Sequence, residues 1–474
     1  MKLPERLLGF VDYKGIKHPF EFDEELFYLN LYPPTIEIWE ESSSLREFFL
    51  SFKKDQKKRE WIGEVRLEGV VSDGKKVIFC LQDSRRNYNG FYSFPVNWYF
   101  YHLNELKPDS LDSFSIACNE INYFFSPQQV LESEYCFSEN YNNLEKITVQ
   151  SNEQITENCG KYRIIPHVDA QIEVTCYAVA KSYSYTNPIS AASNMVITFS
   201  SPVNIDTVIS AYKHTICFLQ YITYRKNVGV DSVPVFYINA DGARDYAGFL
   251  VFDKSTEVET HKKTQEAIIP YHVLHKRTAT LFSNIKRHKL GFQHLCESIE
   301  DRRHYPSSRI IMIFAAFERE YRNIYGVDSD RSQEYIETKN EIIDMINKYT
   351  NSLHGKKREY SKQLSKYVQN RDSSFEFNLK KALMDCEKIM LPFVRLKYSG
   401  TYSESVDGIC ERMGTVRNGI AHSRLDLRFD AIHLSDIKIV EELIYAIRLK
   451  RCGIKYEDIQ KSINRIFMEN IALY

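Results

Sequence analysis

The sequence predicts an α+β protein of more than one domain. A β-rich, largely antiparallel N-terminal half, residues 1–260, should precede an all-α bundle, residues 261–474. Three observations predict this. Short runs rich in Tyr, Phe, Val and Thr give way near residue 260 to long stretches of helical periodicity. Charge changes sign at the same place: residues 261–474 hold 37 Lys+Arg against 28 Asp+Glu, a net of +9, which leaves 25 against 35, a net of -10, before them. And 474 residues exceed what one hydrophobic core fills. The polar link from Asp253 to Thr264 suits a domain boundary. The N-terminal half has room for two subdomains.

In chain order, the strand candidates are Lys76–Leu81, Ile172–Val179, Met195–Phe199, Val233–Ile238 and Gly248–Phe252. Each is continuously apolar or alternates with period two, and turn residues interrupt them. One helix is expected among them, from after Asn204 to about Tyr224, because Ile205, Val208, Ile209, Tyr212, Ile216 and Leu219 recur at helical spacing. The Ala240–Arg244 stretch reads as a turn between strands rather than a phosphate-binding loop. No nucleophile–base pair stands out in this half, and Trp39, Trp61 and Trp98 are most simply core residues.

The second half reads as helices at about 270–298, 308–325 (closed by Gly326), 332–350, 356–370, 375–390, 403–421, 435–450 and 456–467. A bundle is their natural packing. A net of +9 marks this half as the one to meet a polyanion, although that charge is also what an ordinary surface carries.

Composition excludes several classes. Hydrophobic residues at 43% and charged residues at 26% do not describe a disordered chain, and 18 Gly with 14 Pro do not describe a collagen-like one. The longest strongly apolar run, Ile310–Phe317, is far shorter than the about 20 residues a membrane-spanning helix needs. The start, Met1 to Arg6, lacks a signal-peptide core, so a cytoplasmic protein is expected, with no membrane partner. The ten cysteines include no C-x-x-C pair and are expected to be reduced and buried. His288, His294 and Cys296 come nearest to a zinc set, but a helical surface carrying these residues is the plainer reading. Neither a metal nor a cofactor is expected.

One constellation carries chemistry. The helix near 403–421 ends in Val416-Arg417-Asn418-Gly419-Ile420-Ala421-His422. Ile409, Met413, Val416 and Ile420 form its apolar stripe. Asn418 and His422, four residues apart, share a face, and Arg417 lies about 100° around from Asn418. Arg clamps a phosphate through paired hydrogen bonds. His moves protons near neutral pH. Asn holds a phosphate oxygen or the imidazole. Cleavage of RNA by its own 2′-hydroxyl needs such groups. Ordinary capping chemistry at a helix end beside Gly419 is the competing reading.

This segment resembles the R-N-x-x-x-H form of the R-x(4–6)-H signature of HEPN-domain ribonucleases. The layout resembles the ApeA-type anti-phage proteins, in which a β-rich N-terminal domain precedes a HEPN helical domain. Ile311 to Arg322 looks like the early HEPN helix of that group. The likeness is specific over about 310–425 and architectural elsewhere. It implies a metal-independent endoribonuclease of abortive infection, acting on tRNA or other structured RNA. Arg417, Asn418 and His422 would be catalytic at the interface of a homodimer, and the products would be a 2′,3′-cyclic phosphate and a 5′-hydroxyl. The N-terminal half would sense a phage-derived trigger.

Weaker candidates surround this core. Glu318 borders the apolar stripe of its helix and would reach Arg417 to orient it; the plainer reading is a solvated Glu. Lys356, Lys357 and Arg358 would contact the RNA backbone, with a solvated helix start as the default. Tyr402 and Tyr445 would stack on a base, with core packing the simpler expectation. Arg428 to His433 repeats the R-x-x-x-x-H spacing without the Asn and reads as a chance match. The alternative function is an inactive HEPN scaffold that binds RNA or a partner chain beside a β-rich recognition domain.

Overall fold

The computed structural model describes residues 6–34, 60–61, 65–82, 84–88, 91–103, 110–137, 144–180, 189–230, 232–253, 267–326, 333–370, 375–421 and 429–473. The fold is α+β, as the sequence predicts. The chain divides into two compact units, Met1–Thr215 with Val228–Val258, and Ile216–Asn227 with Glu259–Tyr474. The link from Lys254 to Thr264 lies outside the described residues.

The first unit begins with β1 (Arg6–Tyr13), β2 (Ile16–Asp23), β3 (Tyr28–Leu31), β4 (Glu60–Trp61), β5 (Val65–Val71), β6 (Lys76–Leu81), β7 (Ser84–Tyr88) and β8 (Phe91–His102). Strand β6 pairs with both β5 and β8, so the order β8-β3-β2-β1-β5-β6 closes on itself. Closure gives each of these six strands a neighbour on both sides. Period-two alternation turns Leu7, Val11, Phe20, Phe22, Leu29 and Phe79 into the barrel core. Gly9 faces Val70 and Phe20 so closely that a Cβ there would lie on the Val70 carbonyl oxygen. Gly9→Ala should therefore force β1 off β5. It is expected to cost about 1–3 kcal/mol, seen as a lower urea midpoint. An unchanged midpoint would show that the strand has room to shift.

Strand β8 is long enough to serve twice. Tyr92–Pro95 pair with β3, and Trp98–His102 pair with the last strand of the open stretch of the same sheet. That stretch follows β9 (Leu111–Ile116), α1 (Asn119–Phe124) and a hairpin, β10 (Leu131–Phe137) with β11 (Leu144–Ser151). It continues through β12 (Ile155–Ile165), β13 (Val168–Ala180), β14 (Ile189–Val203), α2 (Ile205–Thr223), β15 (Val233–Ile238) and β16 (Arg244–Phe252). Its order is β12-β13-β14-β9-β15-β16-β8, antiparallel throughout. Asn204 caps α2, its Oδ1 accepting from the Thr207 amide at 3.0 Å. Tyr212 then stacks on Phe252 with ring centroids 4.0 Å apart. Trp98 is buried, whereas Trp39 and the Trp61 side chain lie outside the described residues. Asn239 Oδ1 accepts two turn amides and Gly242 takes φ +77°, which makes 240–244 a tight turn.

The second unit holds the end of α2, then α3 (Tyr271–Leu274), α4 (Arg277–Lys286), α5 (Ser307–Tyr325), α6 (Gln333–Asn351), α7 (Lys356–Asn370), α8 (Phe375–Asp385), α9 (Glu387–Lys397), α10 (Tyr402–Ala421), α11 (Ala431–Arg451) and α12 (Tyr456–Ile466). Among the described residues, no helix is long and apolar enough to cross a membrane.

Two expected helices are corrected. The helix over 270–298 breaks at His275, whose φ is +43°, and α4 ends at Lys286 before His288 at φ +51°. The chain beyond is captured by other contacts. Lys226 and Asn227 amides donate to the Cys296 and Glu297 carbonyls, and Asn323 donates to Lys289. The helix over 375–390 splits at Cys386, and α9 runs on through Pro392. Proline cannot bond the carbonyl four residues back, and here the Gln460 side chain donates to that Lys388 oxygen at 2.8 Å.

Helix α11 is the axis of this unit, buried from Ile437 to Leu449 apart from Lys438. It carries four buried charges. Asp436 takes Arg412 through two bonds, Glu441 takes Arg309, Glu442 takes Lys397, and Arg448 takes Glu320 of α5. Burial outweighs the Arg448 guanidinium and pushes the Glu320 carboxyl up to about 7 from 4.5. A value raised on folding means that the fold favours the protonated form. The Glu320 contribution is then complete below pH 4.5 and is lost as pH rises towards 7. Glu320→Gln should flatten the pH dependence of thermal stability across that window. Melting temperatures that still fall in parallel with wild type would exclude Glu320 as their cause.

Candidate active site

Helix α10 brings Arg417 to its place. Thr401 and Glu404 form a reciprocal capping box: Thr401 N donates to Glu404 Oε2 at 3.0 Å and Glu404 N to Thr401 Oγ1 at 3.3 Å. Val406, Ile409, Met413 and Val416 are buried along one face, with Ile420 half-buried beyond them. Arg412 pins the helix to α11, its Nε and Nη2 donating to Asp436 at 2.6 and 3.0 Å while Tyr398 donates to the same carboxylate at 2.5 Å. The stripe faces inward, so Arg417, one position past Val416, emerges at its border.

There it meets α5. Phe314, Phe317 and Tyr321 are buried, and Glu318 sits at the edge of that stripe. Arg417 Nη2 donates to Glu318 Oε1 at 3.3 Å, and Arg322 Nη2 lies 3.6 Å from Glu318 Oε2. One carboxylate thus stands between two guanidinium groups, which leaves a net positive charge. The Arg417 side chain is 41% exposed and that of Glu318 23%. A long, half-exposed ion pair of this kind contributes little stability. Its effect is to fix where the guanidinium sits.

Asn418 is exposed on the same helix turn, and His422 lies outside the described residues. Glu318 and Arg417 are thus brought together, and Asn418 follows Arg417 in sequence as an exposed residue of α10. Lys356, Lys357 and Arg358 are exposed in the first turn of α7, and no hydrogen bond or ion pair among the described residues joins them to Arg417 or Glu318. His433 serves elsewhere: Asp430 caps α11, and its Oδ1 lies 2.6 Å from His433 Nδ1. Arg428 lies outside the described residues. Tyr402 and Tyr445 are core residues that donate to the Leu383 and Tyr221 carbonyls.

His288, His294 and Cys296 do not share a helical surface. They follow α4 in irregular chain, and His294 and Cys296 are buried. Among the described residues, neither His294 ring nitrogen has a hydrogen-bond partner, and burial with the nearby Arg309 holds the imidazole neutral, at about 3. Burial likewise pushes the Cys296 thiol up to about 11, and Cys296 Sγ donates to the Tyr224 carbonyl. Of the ten cysteines, all free, seven are buried, two half-buried, and Cys136 is exposed on β10.

Sequence reasoning missed a buried polar centre. Glu441 accepts from the Tyr224 hydroxyl, from Arg309 Nη2 at 3.0 Å and from the Tyr305 hydroxyl at 2.6 Å. Beside it opens a cavity of about 300 Å³ lined by Lys226, Cys296, Asp301, His304 and Arg309. The signal was legible: Glu441-Glu442 sits between the apolar runs Ile439-Val440 and Leu443–Ile447, and buried carboxylates require cations. No protein family, curated protein or solved structure matches the chain.

Proposed function

We propose that this protein is a metal-independent RNA endonuclease of the HEPN type. Arg417, Asn418 and His422 would form its site, and Glu318 would position Arg417. The observation that supports this most is Arg417 itself. It stands on a helix held by a capping box and a bidentate clamp, with its guanidinium oriented by Glu318 yet 41% exposed. A guanidinium so held meets a phosphate without reorganising, which is what stabilising developing charge requires.

The reaction balances without another reagent. The 2′-oxygen attacks phosphorus, the bond to the 5′-oxygen breaks, and a 2′,3′-cyclic phosphate and a 5′-hydroxyl form. Arg417 binds the non-bridging oxygens, and His422 moves a proton to or from the reacting oxygens. A second copy facing the first across a two-fold axis would complete the site. The β-rich unit would restrain the nuclease until a phage component binds, in a cytoplasmic defence role, with tRNA or another structured RNA as the target.

The test is cleavage of total cellular RNA by the purified full chain with EDTA present, read by sequencing the new 5′ ends. Wild type should cut, and Arg417→Ala and His422→Ala should not. Equal cutting by all three would remove this site from the reading.

A further inference from the structure

We propose that the hairpin of α6 and α7 docks face to face on the same hairpin of a second copy of this chain. The proposal is independent of the nuclease reading and concerns a surface other than the Arg417 helix end.

The hairpin is built with its polarity reversed. An amphipathic pair normally buries its large apolar side chains in the seam. Here the seam is polar. Thr350 and Ser361 hydroxyls share a hydrogen bond at 2.6 Å, Ser365 donates to Asn347 Oδ1 at 3.0 Å, and Lys339 donates to the Gln369 carbonyl at 2.8 Å. Ile343, Thr350, Ser361 and Ser365 are its buried side chains among the described residues. Meanwhile Met345, Tyr349, Tyr360, Leu364 and Tyr367 are between 60% and 69% exposed.

These five share one side of the hairpin. At about 100° per residue, Tyr349 sits about 100–120° and Met345 about 140–160° around α6 from the seam residues Ile343 and Thr350. Tyr360, Leu364 and Tyr367 sit a similar angle, in the same rotational sense, from Ser361 and Ser365 on α7. The helices are antiparallel, since Thr350 meets Ser361 at one end and Lys339 meets Gln369 at the other. Equal rotation on antiparallel neighbours points both stripes the same way.

Charge selects the occupant. Helix α6 carries four carboxylates against two lysines, and α7 carries five cations against one glutamate. A two-fold axis parallel to the helices lays α6 of each copy over α7 of the other, so an acidic helix meets a basic one twice. That self-complementarity is what an isologous dimer needs. The area suffices. With roughly 150–250 Å² per aromatic side chain, these exposures leave about 600 Å² per copy. The pair buries about 1,200 Å², where stable interfaces begin.

Sedimentation velocity on the full chain tests this. Leu364→Glu with Tyr367→Glu should halve the particle mass relative to wild type, with unchanged circular dichroism, because both residues are already exposed in the single chain. Met345→Glu on the other helix should do the same, and high salt should weaken association of the wild type. A wild type that sediments as a monomer would overturn the proposal. So would folded variants that keep the wild-type mass, since self-association would then run through another surface.

Discussion

Arg417→Ala is expected to lower RNA cleavage by about a hundred- to a thousandfold, the usual cost of removing one preorganised stabiliser of developing charge. The fold should survive. Arg417 contributes one 3.3 Å bond to Glu318 from a side chain 41% exposed, and such a pair is worth about 1 kcal/mol at most. A loss of activity without a loss of melting temperature therefore separates chemistry from stability. Arg417→Lys should restore only part of the rate, because a lysine keeps the charge but not the planar fork that grips two phosphate oxygens. Glu318→Gln should have a smaller effect, since it relaxes the aim of the guanidinium without removing it. Full activity in Arg417→Ala would place the cutting groups elsewhere in the chain.

The largest loss of stability is expected from Glu441→Leu, at about 3–5 kcal/mol. The carboxylate is fully buried and is the shared acceptor for Arg309, Tyr224 and Tyr305. Removing it leaves a buried guanidinium without its counter-charge and two hydroxyls without an acceptor. Arg309 cannot swing out to water, because it also donates to the Asp301 and His304 carbonyls at 2.6 and 2.8 Å. Glu441→Gln keeps the shape and should cost less than the leucine. Urea midpoints of the two variants check this, and a leucine variant as stable as wild type would mean that the network relaxes without its acceptor.

Much of the fold was legible because its signals are local. The runs at 76–81 and 233–238 coincide with β6 and β15, and the helix expected over 356–370 coincides with α7. Period two and period 3.6 need no knowledge of what the element packs against. The failures share one cause. The helix over 270–298 has the right apolar spacing, but the backbone from 287 onward is committed to bonds with Lys226, Asn227 and Asn323, residues far away in sequence. The helix expected over 375–390 instead continues as α9 through Pro392, where Gln460 supplies the donor that the proline lacks. At the candidate site, Arg417 and its helix were legible, whereas the contact with Glu318 stood only beside the plainer reading of a solvated Glu, because it joins two helices 99 positions apart.

The sequence by itself determined the two textures of the chain, the sign of charge on each, most of the helices and the Arg417-Asn418 step at a helix end. Only the tertiary structure decided that six strands close into a barrel, that Glu441 gathers Arg309, Tyr224 and Tyr305, that Arg417 meets Glu318, and that the α6–α7 hairpin turns its aromatic stripe outward. The physical reason is range. Propensity and periodicity act between residues a few positions apart, whereas strand closure, buried ion pairs and the choice of which face is covered depend on partners tens to more than a hundred positions away, or on another chain.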